Sequence, residues 1–87
     1  MDVLALYRYR VVRTDSGRLF AFGFDRATAH VQIVELKAFD ESELSGVTPE
    51  GVRVQLEGHP ALDMDAGALW ASYRAEHELG GYVDVTP

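Results

Sequence analysis

The sequence predicts an α+β fold: an antiparallel sheet of four to five strands with one C-terminal helix packed on one face, in the order ββββαβ. Three observations predict it. Tyr7, Tyr9 and Val11 alternate with Arg8 and Arg10, and Val52, Val54 and Leu56 alternate with Arg53, Gln55 and Glu57, the period of two that belongs to a sheet with unlike faces. From Leu62 onward the apolar residues recur at helical spacing. Between these stretches stand turn formers, Thr14-Asp15-Ser16-Gly17 and Pro49-Glu50-Gly51.

The first strand is expected over residues 3–13 and the second over 18–24, with Phe20, Phe22 and Phe24 on one face. The loop between them decides which face the tyrosines share. A loop of two or four residues sets Tyr7, Tyr9 and Val11 beside the phenylalanines, whereas a three-residue loop sets the arginines there. Gathering five aromatics on one face buries more apolar surface, at about 25 cal/mol per Å². The expectation is therefore the first register, with a glycine bulge at Gly17 as the way it fails.

A third strand is expected from His30 to Phe39. Val31 and Ile33 have one parity and Val34 and Leu36 the other, so the strand is either central and covered twice or bulged near Ile33. Residues 39–51 form a connection, in which Asp40 and Glu43 have the spacing of a capping box around one helical turn. Residues 52–57 make the fourth strand, and Gly58-His59-Pro60 breaks it. Asp65 is the expected N-cap of a helix that runs to Leu79 and stops at Gly80, with a start as early as Leu62 allowed. Tyr82 to Val85 adds a short edge strand.

At 100° per residue the helix shows two apolar faces. Leu62, Ala66, Leu69, Trp70, Tyr73 and His77 form the bulky one, assigned to the core. Ala68, Ala71, Ala75 and Leu79 form a smaller one, open to self-association, although alanine is also simply the best helix former.

Eighty-seven residues make one domain, 1–87. There is no cysteine, which removes disulfides and thiolate chemistry and suits a reducing, cytoplasmic setting. No stretch approaches the roughly 18 apolar residues of a membrane helix, and the start lacks a signal-peptide layout. Seven arginines against one lysine point to GC-rich codons and a bacterial or phage source.

Charge is split along the chain. Residues 1–37 carry a net +2 and residues 38–87 a net −8, for the total of −6. Arg8, Arg10 and Arg13 interleave with an aromatic in the manner of a nucleic-acid surface, but the whole protein repels phosphate. The plainer reading is a basic sheet face whose arginines pair with acids from the second half. Asp40, Glu41, Glu43, Asp63, Asp65, Glu76 and Glu78 make an acidic surface suited to a basic partner protein.

No catalytic constellation is present. The serines lie in no nucleophile elbow. His30, His59 and His77 have no metal-ligand spacing, and Glu76-His77-Glu78 diverge on a helix. Asp63 and Asp65 are expected to cap the helix rather than to form an acid pair. The glycines form no phosphate loop. The sequence therefore points to a non-enzymatic accessory protein without cofactor or metal, which binds and regulates a larger protein partner. The alternatives are a self-assembling homo-oligomeric protein, a homodimer included, and a small-molecule-binding domain with Trp70, Tyr73 and His77 near the mouth of its site.

Overall fold

A computed structural model describes residues 3–87. In chain order the elements are β1 (Val3–Thr14), β2 (Leu19–Asp25), β3 (Val31–Leu36), β4 (Ala38–Asp40), β5 (Ser45–Val47), β6 (Arg53–Glu57), α1 (Met64–Glu76) and β7 (Tyr82–Asp84). The fold is α+β as the sequence predicts, but the sheet is mixed and has seven strands, where four to five antiparallel ones were expected. Its order is β3-β2-β1-β6-β5-β4, with β7 also on β1. The β1–β6 pair is parallel and every other pair is antiparallel.

Lys37 alone separates β3 from β4, and its amide donates to the Val47 carbonyl at 2.7 Å. The two ends of the strand order are thus joined by the chain itself, and the sheet curls around an interior. Five strand positions in a ring have odd parity, so the first and last must run parallel; this is why β1 and β6 do. The short β4–β5 hairpin was missed in the sequence because residues 38–47 carry too few apolar residues to show a period. Its turn is capped as expected by Asp40, whose carboxylate accepts from the Ser42 amide and hydroxyl and from the Glu43 amide.

Two cores lie on opposite faces of this sheet. Inside the curl, Leu6, Tyr9, Val11, Ala21, Leu36, Val54 and Leu56 pack together. Outside, Val12, Phe20, Phe22, Ala66 and Trp70 pack beneath the helix. Strand β2 is therefore buried on both sides, and β3 is covered twice, although β3 pairs only with β2.

The expected hairpin register is corrected by this arrangement. Val12 faces Phe20 and Arg10 faces Phe22, so the loop is the three-residue Asp15-Ser16-Gly17, with Gly17 at φ 89°. Tyr9 and Val11 point inward, away from the phenylalanines. Gathering the aromatics on one face gains nothing here, because both faces are already apolar interiors. A bulge between Tyr7 and Arg10, centred on Arg8 at φ 51°, then reverses the parity of the strand's first half. Tyr7 returns to the face of Phe24, and the rings stack at 5.6 Å.

The same turn closes two hairpins. Thr14 and Thr48 are the two buried polar residues among those described. In each case the threonine amide donates to the carbonyl four residues on, and its hydroxyl oxygen accepts the amide of that residue. A glycine at the fourth place, Gly17 or Gly51, supplies a φ near 90°.

The helix differs from expectation at both ends. Asp63, not Asp65, is the N-cap, and its carboxylate accepts from the amides of Asp65 and Ala66 at 3.0 Å. The helix ends at Glu76 with His77 as C-cap, three residues short of Leu79. Arg74 reaches forward to the Gly80 carbonyl at 2.7 Å and holds the reversal that follows. Among the described residues, no helix is long and apolar enough to cross a membrane.

Candidate functional site

The helix buries less of its bulky face than expected. Ala66 and Trp70 are buried and Tyr73 is half-buried, but Leu62 is 84% exposed and Leu69 is 49% exposed. Trp70 stacks on Phe22 at 5.5 Å and 9°, with Phe20 and Tyr82 also against it. Its indole N–H has no hydrogen-bond partner. His77 stacks on Tyr73 at 4.1 Å, as its spacing implies.

Where the helix begins it stands away from the sheet and leaves a groove of about 210 Å³. Phe22 and Trp70 form its floor, Val12 and Arg10 one wall, and Tyr82 and Asp84 of β7 the end. Leu62 and Met64 form the lip. Met64 is 90% exposed. Gly67 opens the helix side of the groove, and a Cβ placed there would meet nothing within 4 Å.

The charged residues around this groove are largely paired with one another. Arg10 and Asp84 meet at 2.8 Å, and Arg8 and Asp63 at 3.4 Å. Arg26 with Glu57 completes a set of three pairs that join a base of the first half to an acid of the second. Arg18 instead forms a two-pronged pair with Glu35. The charge split of the sequence is thus used inside the molecule. Burial pushes the pKa of Asp84 up, but the Thr86 hydroxyl and amide, with Arg10, outweigh it and hold the carboxyl below its ordinary value. The hydrogen bond from Arg18 does the same for Glu35.

The expected site residues fall in separate places. Asp40, Glu41 and Glu43 lie at the β4–β5 hairpin, whereas the helix packs on β2 and β3. Asp63 and Asp65 stand at the helix start, and Glu76 and Glu78 stand at its other end, about 20 Å away at 1.5 Å per residue. Asp63 is a cap and ion-pair partner that also lines the groove, while Asp65 is exposed in the first turn of the helix. Arg8 and Arg10 are paired, and Arg13 is exposed. Ala68, Ala71 and Ala75 are exposed on the helix; Leu79 lies beyond the helix and packs with the outer core. Sequence reasoning missed Met64, Gly67 and Tyr82 as groove residues. The one trace of the groove in the sequence is a glycine, Gly67, inside the helical stretch.

No group of three or more histidine or carboxylate side chains is placed to hold a metal ion among the described residues. Compared with protein families, curated proteins and solved structures, the chain matches none.

Proposed function

We propose that the protein is a non-enzymatic interaction module that grips an apolar side chain of a larger partner protein in the groove at the start of α1. Gly67 carries this reading. A glycine inside a helix costs about 1 kcal/mol relative to alanine, and here alanine has room. Packing therefore does not require the glycine, whereas an open groove does. Leu62 and Met64 add exposed apolar surface at the same place. At about 210 Å³ the groove is smaller than the roughly 300–1,000 Å³ that encloses whole small ligands, so one inserted side chain suits it better. The excess of negative charge, with the exposed Asp65 in the first turn of the helix, favours a partner segment with a lysine or arginine beside that apolar anchor.

The test compares three full-length baits against a lysate: the native chain, Leu62→Asp/Met64→Asp, and Gly67→Ala. Both substituted positions at the lip are exposed, so the fold survives their replacement. Gly67→Ala should raise the melting temperature and weaken capture at once. One stoichiometric protein held by the native chain, lost with the lip variant and released by salt, is the expected outcome. Equal capture by all three baits overturns the reading.

A further inference from the structure

We infer that residues 82–86 form an exchangeable strand, and that the slot they fill on β1 accepts the same segment from a second copy of this chain. Strand β1 is twelve residues long and has two partners on one edge. Strand β6 takes Val3–Tyr7, and β7 takes Val12–Thr14. The backbone of the second partner is held by β1 and its turn. The Val85 amide donates to the Val11 carbonyl at 2.8 Å, the Val11 amide to the Thr86 hydroxyl at 2.9 Å, and the Asp15 amide to the Gly81 carbonyl at 3.0 Å. Asp84 adds its pair with Arg10. Every one of these bonds forms equally well with a tail arriving from another molecule.

The hinge favours such an exchange. Five residues, 77–81, reverse the chain between α1 and β7. Within them Glu78 sits at φ 52° and Gly80 at φ 72°. A left-handed glutamate is strained, and opening the hinge relieves it. Short strained hinges are the setting in which identical elements are exchanged between copies. Tyr82, Val83 and Asp84 are all exposed, and the contacts the segment does make, Tyr82 on Trp70 and Val85 on the inner core, are restored when the same segment of a second copy takes its place.

The chain has no cysteine, so the exchange is readable by a disulfide. Arg13 and Val83 face each other and are both exposed, and facing strand residues lie within the Cα spacing a disulfide spans. Full-length Arg13→Cys and Val83→Cys chains are mixed at high concentration and oxidised with glutathione disulfide, and Arg13→Cys/Val83→Cys in one chain serves as reference. The expected result is a covalent dimer in the mixture, well above that from either single variant alone, and an intramolecular bond in the reference. A reference that closes while the mixture stays monomeric overturns the exchange. A reference that fails to close overturns the pairing on which it rests. Neither result bears on the groove's occupant, so the two readings fail separately.

Discussion

Gly23 lies opposite the bulge at Arg8, and a Cβ on it would stand 2.9 Å from the Tyr7 carbonyl oxygen and 3.0 Å from the Tyr9 Cα. The bulge that brings Tyr7 back to Phe24 pushes the backbone of β1 into the space a side chain would need. Both near atoms are backbone and cannot rotate away. Gly23→Ala should therefore destabilise the protein by about 1–3 kcal/mol, the usual cost of overpacking. Urea denaturation checks this, with Gly67→Ala as a control that should move the other way.

Trp70 ties the outer core together, touching Phe20, Phe22, Tyr73 and Tyr82. Trp70→Ala should cost about 3–5 kcal/mol. Trp70→Phe should cost clearly less, because it keeps a ring against Phe22 and removes a buried N–H that has no partner. Thermal unfolding followed by circular dichroism ranks the two.

Thr48→Val should cost about 1–3 kcal/mol, since it leaves the Val52 amide without the acceptor it now has at 3.0 Å. Thr48→Ser, which keeps the oxygen, should recover most of the loss. The equivalent changes at Thr14 should behave alike, given the shared geometry of the two turns. Chemical denaturation of all four variants checks the pattern.

Acid should loosen the tail before the rest of the protein. The folded-state pKa of Asp84 lies below its unfolded value. Its contribution is then present above the ordinary carboxylate value of about 4 and is lost as pH falls below that value through the lower folded one. Glu35, lowered by Arg18, acts in the same direction at the β2–β3 pair. Amide exchange at Val85, corrected for its intrinsic pH dependence, should rise over this window. Asp84→Asn should remove most of that rise.

What could be read from the sequence divides along physical lines. The strand over 53–57, the helix and the edge strand at Tyr82 were legible because each carries its own period or stop signal. The pairing of first-half arginines with second-half acids was legible from charge alone. The register of the first hairpin was not, because it depends on β2 being covered on both faces, and that follows from the curl of the whole sheet. The N-cap at Asp63 rather than Asp65 turned on a choice between two equally suitable residues. The groove was hard to see for a related reason: Leu62 falls on the bulky helical face and Met64, about 200° away, on the alanine side, and only tertiary placement brings the two to one lip that the sheet never reaches.

The position of β1 in the sheet has a consequence for how the chain is made. Strand β1 is bordered on one edge by residues 53–57 and 82–86, which follow it in the chain by about fifty and seventy residues. On a ribosome, that edge has no partner until most of the protein has emerged, and its last stretch waits for the tail. A sheet edge left open so long is the part of the molecule that most needs shelter from other nascent chains. Closure of this edge comes in two instalments: β6 secures Val3–Tyr7, and Val11–Thr14 are secured last, by residues 82–86.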